Sequence, residues 1–293
     1  MKKIVLITIY TLICGAMFAV SADKETKPDG KKTDWERDGL NGKVKSLKTV
    51  SYTATIDSGQ LRKGEIIEDK WGFNNTLIKI NEKGNWTEYS SYKPDGENIR
   101  LEIVKYDSEG NPFERRDYNY GNIARRWEFT ADKNGNIIKA LSFDTNDNLT
   151  AKSFYRFDEN NYQIEANYYN ANDSLISKSI SNYDENGNLI ESINYGSDRS
   201  ITTKTLYKYD SLRNNAERTI YGFDENLIEK TIYEYNEKKL VTETNTFKTI
   251  DNSNSKTTYE YKKYDAKDNW VKRVEYKDSV VVKITERQIE YYD

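Results

Sequence analysis

The sequence has no histidine, one cysteine and three prolines. Without histidine there is no Ser–His–Asp or Cys–His nucleophilic site, and no imidazole to hold a metal. The one thiol, Cys14, sits inside the apolar start of the chain, so a chain that loses this start has no disulfide and no thiolate chemistry. There is no block of basic residues: 45 Lys and Arg are scattered among 48 Asp and Glu, which excludes a nucleic-acid partner. No Gly-rich phosphate loop is present. Low-complexity runs are absent too, and 24 Tyr with 9 Phe are more aromatic residues than a disordered chain carries.

There is one long hydrophobic run. "MKK" is followed by 17 apolar residues, "IVLITIYTLICGAMFAV", and then by "VSA" ending at Ala22. Basic start, apolar middle and small-residue end form an export signal over 1–22. The run is short of the ~20 residues of a membrane span. Lipidation on Cys14 is disfavoured because Ile13 stands where a small residue is needed. The implied location is extracytoplasmic: periplasm, cell surface or medium. A polar linker follows over 23–34, then an N-terminal β segment over 35–79 and a repeat domain over 80–293.

The repeat has two beats. The residues before one set of turns are Tyr106, Ala131, Phe157, Tyr183, Tyr209 and Tyr235, at steps of 25, 26, 26, 26 and 26. Ile80 extends the series backwards by 26 and Tyr264 forwards by 29, a step assigned to a longer turn over 248–256. Twelve residues after each comes a second series: Tyr92, Tyr118, Phe143, Tyr169, Tyr195, Tyr221, Phe247 and Tyr276. The turns, such as "DENGN", supply Asp to start them and Gly or Asn for positive φ. Between them lie alternating runs rich in Ile, Thr and Tyr, which read as strands. Connections this short force antiparallel neighbours. The fold class is therefore all-β: an antiparallel up-and-down meander of about 16–19 strands from eight 26-residue, two-strand repeats.

Four residues before each second aromatic stands a charge, Glu at 88, 114, 165, 191, 217 and 243 and Lys at 139 and 272. Five before the first series stand Arg126, Lys152, Lys178, Lys204 and Lys230. With Tyr183 opposite Leu189, unbroken alternation puts the Glu row on one face and the basic row on the other. Both faces are then hydrated, because a buried ionised carboxylate costs several kcal/mol. A transmembrane barrel is excluded on this reading. Neither face is free of charge, a basic residue at mid-membrane costs ~2–4 kcal/mol, and most strands fall below the ~9–11 residues needed to span. Sheets wider than ~10 strands curl or split, so a curved, spiral or rolled sheet is expected.

The segments "YDENGNLIE", "YDSEGNPFE", "FDENNYQIE" and "YDAKDNWVKRVEY" resemble the YD-repeat family, also called rearrangement-hotspot repeats, of bacterial secreted and surface proteins; the resemblance covers about 80–292. It implies β-hairpins rolled into a shell, which in large members surrounds a toxin segment, and some members are linked to carbohydrate binding. MORN-type repeats are less similar, in period and in glycine pattern.

The turn aspartates fail as calcium loops: Asp184 has Gly187 at the fourth position, where an EF-hand needs glycine at the sixth. No metal or cofactor is expected. The Glu row offers no unique carboxylate pair for glycosidase chemistry, and Trp35, Trp71, Trp86, Trp127 and Trp270 read as local packing. An enzyme would need one position that breaks the repeat with a buried, charge-perturbed group. The expected function is non-catalytic: a binding or adhesion scaffold whose Tyr-rich repeat surface, Glu165, Glu191, Glu217, Tyr169, Tyr195 and Tyr221, meets a glycan or an envelope protein. The alternative is a structural component of the envelope without a discrete ligand. Oligomeric state is left open.

Overall fold

The computed structural model describes residues 33–68 and 74–293; the export signal and most of the polar linker lie outside them. A single helical turn, α1 (Asp34–Arg37), is capped by Thr33, whose side chain and Glu36 satisfy each other's backbone amides. Nineteen strands follow in one sheet. β1 (Val44–Asp57), β2 (Gln60–Ile66), β3 (Asn75–Ile80) and β4 (Trp86–Tyr92) begin it. The series continues through β5 (Asn98–Tyr106), β6 (Pro112–Asn119), β7 (Asn122–Ala131), β8 (Ile137–Phe143), β9 (Leu149–Phe157) and β10 (Gln163–Asn170). Next come β11 (Leu175–Tyr183), β12 (Leu189–Tyr195), β13 (Ile201–Tyr209), β14 (Asn215–Gly222) and β15 (Leu227–Tyr235). β16 (Val241–Lys248), β17 (Ser253–Tyr264), β18 (Trp270–Lys277) and β19 (Val280–Tyr291) complete it.

The turns are tied by the side chain of an aspartate or, at Asn81, Asn170 and Asn236, of an asparagine. The Asp184 carboxylate accepts the amides of Asn186 and Asn188 at 2.9 and 2.8 Å, and the Asn188 side chain at 2.8 Å. Asp107, Asp144 and Asp210 do the same. These bonds hold the Asp144 carboxyl below the usual carboxylate range, through Asn148 first. They also explain why glycine is optional. The third residue after the aspartate has positive φ at Gly187, but also at Asp147 and Arg213. The side-chain bonds hold the turn where a side chain occupies that strained region.

Every such turn is followed by a β-bulge. Tyr183 pairs with Leu189, but Asn182 pairs with Glu191, so Ile190 is an extra residue without a partner. Phe113 and Ile138 hold the same place and, like Ile190, are exposed. The slip overturns the expected division of charge. Glu191 comes to the face that carries Ile180 and Lys178, while Tyr183 points to the opposite face. Glu and Lys rows share one surface, because a one-residue shift reverses every later side chain.

The sheet closes. β1 pairs with β19 over Val44–Thr53 on one flank. Its other flank is shared by β3, against Ser46–Val50, and β2, against Tyr52–Asp57. Eighteen strands therefore run round a barrel, with β2 as a short addition. The expectation of a spiral or rolled open sheet is corrected: a sheet this wide leaves two long edges, and β1 satisfies both at once. The exclusion of a barrel falls with it. That argument took each charge as solitary, whereas the charges of this wall are paired on one face of a closed barrel.

The face of Tyr183 is the inner one. α1 and the chain after it pack there: Trp35 and Leu40 join Val44, Leu47, Ile78 and Ile80 in an apolar cluster. Tyr155 is pushed up by burial and feels the charge of Arg115, three strands away, as side chains across a concavity do. Inner-face tyrosines form a ladder. The hydroxyls of Tyr106, Tyr183, Tyr209, Tyr235 and Tyr261 each donate to a carbonyl 20 residues back, on Trp86, Gln163, Leu189, Asn215 and Val241, at 2.6–3.0 Å. The ladder continues at Tyr261 instead of Tyr264. The extra residues of the 29-residue step thus lie after Tyr261, where the register slips twice, and not in the 248–256 turn.

Replacing Tyr209 by Phe, the residue that position 157 already carries, should keep the fold and remove one rung. The expected loss is about 1 kcal/mol, read as a fall of a few degrees in the thermal midpoint.

Candidate functional site

The outer wall holds all six residues of the expected surface. Glu165, Glu191 and Glu217 lie in one row, and Tyr169, Tyr195 and Tyr221 in the row where the second aromatic series falls. Each glutamate meets the lysine 13 residues on: Lys178 to Glu165 at 3.0 Å, Lys204 to Glu191 at 2.8 Å, Lys230 to Glu217 at 2.9 Å and Lys256 to Glu243 at 2.6 Å. From the other flank Arg156 reaches Glu165 at 2.8 Å and Lys208 reaches Glu217 at 2.9 Å. Arg156, with Asn167 and Lys178, holds Glu165 down to about 2. Lys230, then Lys208, do the same for Glu217. About a fifth of each Glu side chain remains exposed (17%, 22% and 18% at Glu165, Glu191 and Glu217). The row is a hydrated strap of ion pairs.

The inner wall differs. At one level it presents a column of hydroxyls, Ser153, Ser179, Thr205, Thr231 and Thr257, one on every second strand. Tyr155, Tyr207, Tyr233 and Tyr259 stand two residues further along. Thr231 and Thr246 bond each other at 3.2 Å, and Arg218, Glu229 and Lys248 line an open groove beside them.

The hydroxyl column is interrupted at its start. One repeat before Trp127 and two before Ser153 stands Glu102, 1% exposed. Arg115 lies 3.8 Å from it and 2.9 Å from Asp117, and Arg100 pairs with it directly. Trp127 donates its indole N–H to Asp117 at 3.0 Å, under the guanidinia of Arg115 and Arg125 at 5.0 and 5.5 Å. Burial pushes the Glu102 carboxyl up, against the pull of Arg115 and Arg100. This is the buried, charge-perturbed, repeat-breaking group that an enzyme would need, but its two oxygens are engaged by Arg100 and Arg115. The sequence did carry its signal: a Glu and a Trp in a column otherwise filled by Ser and Thr. Comparing columns one repeat apart finds it; following the aromatic series does not. Among the described residues no group of three or more acidic, Cys or His side chains is placed to hold a metal.

No family model matches the chain, and no curated protein does. Among solved structures it is similar to a porin-like protein from Bacteroides uniformis: 10% identity over 84% of this chain and 98% of that one, TM-score 0.45. A porin-like protein from Bacteroides vulgatus shares 10% identity over 82% and 98%, TM-score 0.34. The Photorhabdus luminescens Tc holotoxin pore shares 12% over 82% of this chain and 18% of its own, TM-score 0.22. Closure of the sheet rests on the strand pairing above and not on these likenesses.

Two outcomes follow. The Glu217 carboxyl titrates near 2 when folded, against an ordinary value of 4.5. Its stabilisation is complete above about 4.5 and is lost as pH falls towards 2. Glu217→Gln should therefore cost about 1 kcal/mol at pH 7, from two pairs of modest worth. Denaturant titrations should show the gap to wild type closing near pH 2. Glu102→Ser restores the hydroxyl column but leaves Arg115 and Arg100 without their shared partner. A loss of about 3 kcal/mol is expected, as for breaking a buried pair, measured by urea unfolding at neutral pH.

Proposed function

We propose that this chain is a non-catalytic extracytoplasmic binding scaffold, akin to the YD-repeat proteins, that takes a polar, hydroxyl-bearing ligand such as a glycan. One observation carries the reading: the repeat sets Ser, Thr and Tyr hydroxyls in register on the inner wall, at positions where packing alone would favour aliphatic side chains. Inter-strand spacing places successive members of a column on alternate strands ~10 Å apart, a spacing suited to an extended chain of sugars. Tyrosine adds a flat apolar ring with a polar tip. The outer row of Tyr169, Tyr195 and Tyr221 gives a second, solvent-facing surface of the same composition, on which a protein partner of the envelope would rest. The apolar stretch before Ala22 supports export.

The test is a glycan array and a titration with soluble oligosaccharides, using the folded wild type and a Thr205→Val, Thr231→Val double variant. Binding by the wild type that falls at least tenfold in the variant supports an inner-wall glycan site. Binding unchanged in the variant moves the site to the outer wall. No binding by either folded protein removes the reading and leaves a structural role in the envelope. Release of entrapped solute from vesicles reconstituted with the protein, again without binding, would replace it with a passage through the barrel.

A further inference from the structure

Most charges on the inner wall are matched. Lys283 pairs with Glu275 at 2.8 Å, and Arg218 with Glu229 at 2.6 Å. Arg273 on β18 and Arg287 on β19 are different. Arg273 sits opposite Thr285, and Arg287 is two residues further along the same face of β19. Both guanidinia converge on one indole: Arg287 lies over the Trp270 ring at 3.5 Å, and Arg273 is 5.1 Å from it and 4.8 Å from the Tyr259 ring. Among the described residues no carboxylate stands at ion-pair distance from either. Asp38, just beyond α1, acts on Arg287 through its charge, and Arg273 hydrogen-bonds the Tyr261 side chain. The Nε atoms of both are buried without a hydrogen-bond partner. Burial and the neighbouring Arg273 charge pull Arg287 down to about 10.

Two like charges drawn together in a confined site raise the energy of the folded protein. Cation–π contacts offset part of that, about 0.5–2 kcal/mol each. The contact with Trp270 also restrains the Arg287 guanidinium, whose fork of N–H groups suits a planar or tetrahedral oxyanion. Arg287 retains some solvent contact, so a small solute can reach it. The Ser51 and Thr285 hydroxyls, 3.3 Å from each other and buried beside Arg273, add donors to the same wall.

The geometry points to an oxyanion-binding site formed by Arg273 and Arg287 against Trp270, which takes a sulfate, phosphate or carboxylate group, free or carried on a larger ligand. The Glu102 network does not duplicate it, because Arg100 and Arg115 already hold carboxylates.

The experiment titrates the purified chain with inorganic sulfate at constant ionic strength set by chloride, by calorimetry and by thermal midpoint. Wild type, Arg287→Lys and Arg273→Met are compared. Wild type should show saturable binding and a midpoint that rises with sulfate beyond the chloride control. Arg287→Lys keeps the charge but loses the fork, and should bind at least tenfold more weakly. Arg273→Met should lose saturable binding and, without sulfate, melt no lower than wild type, because a repulsion has gone. An equal sulfate effect in all three proteins is a general salt effect and overturns the proposal, as does the absence of saturable binding in wild type. If Arg273→Met does not fold, the Lys variant carries the comparison. Inorganic phosphate and a sulfated monosaccharide with its unsulfated parent complete the set: sugar-dependent tightening assigns the anion to a glycan, equal affinity to a free ion. The site stands apart from the glycan reading. Neutral sugars that bind wild type and Arg287→Lys alike would leave that reading intact while removing this one.

Discussion

A one-residue slip, repeated after each aspartate-tied turn, governs this molecule. A strand pair without it would place glutamates and lysines on opposite walls, each row standing alone. With the bulge, Glu191 pairs across to Asn182 and lies on the side of Lys178 and Lys204. Opposite charges then meet on one wall: Glu165 and Glu217 each take a cation from both flanks, and Glu191 takes Lys204 from one and Asn182 from the other. The pairs are individually weak at a surface, but their sign matters more than their size. A ring of like charges on adjacent strands would oppose closure, whereas an alternating ring is indifferent to curvature. The bulge also sharpens local twist, which a wide sheet needs if its first and last strands are to meet.

Moving the Glu row to the outer wall leaves the column of Ser153, Ser179, Thr205, Thr231 and Thr257 on the inner one, with tyrosines beside it and ion pairs such as Arg218–Glu229 among them. The tyrosine ladder links five units to the ones before them through a side chain and a carbonyl, each at a spacing of 20 residues, and has no rung at Ala131 or Phe157. Nearest-neighbour terms of this kind make the stability of the wall a sum over units, as in other repeat arrays. Apolar packing is concentrated where the ring is joined. Leu40, Leu47, Ile78 and Ile80 cluster on one side of the seam and Ala54, Val274, Val281 and Ile284 on the other. A chain with mean hydropathy −0.93 has few such residues, and it places them where two ends of the sequence meet without a covalent turn.

The period, the turns and the antiparallel order were legible because they are local: Asp, Gly or Asn and alternating side chains act within a dozen residues. The slip was not. Nothing in "DENGNLIE" distinguishes a hairpin with an unpaired Ile190 from one without, because the bulged residue is as apolar as its neighbours. An error of one residue there put the Glu row on the wrong wall, while the basic row stands opposite Tyr183 as expected. Closure was not legible for a related reason. It depends on β1 pairing with β19, more than 230 residues away along Ser51–Thr285, and no periodic feature encodes a contact that occurs once. The site-level reading has the same pattern. The Glu and Tyr rows were found because they repeat, while Glu102, Arg273 and Arg287 were passed over because they do not.

Departures from the repeat therefore deserve separate treatment from the repeat itself. They gather on both sides of the seam: Arg100, Glu102, Arg115 and Trp127 on β5–β7, and Trp270, Arg273 and Arg287 on β18–β19. Terminal units of repeat arrays are commonly atypical because they cap the stack. Capping accounts well for the apolar clusters and for α1, which lie against the seam and exclude water from it. It accounts adequately for Glu102, whose two arginines and buried setting make a closed network. It does not account for Arg273 and Arg287. A cap gains only cation–π contacts from two guanidinia brought together without an acid between them, and a pair of aliphatic residues would fill the space at less electrostatic cost. The proposed oxyanion would complete them, and among the described residues no carboxylate pairs with either, unlike Arg218 with Glu229 or Lys283 with Glu275.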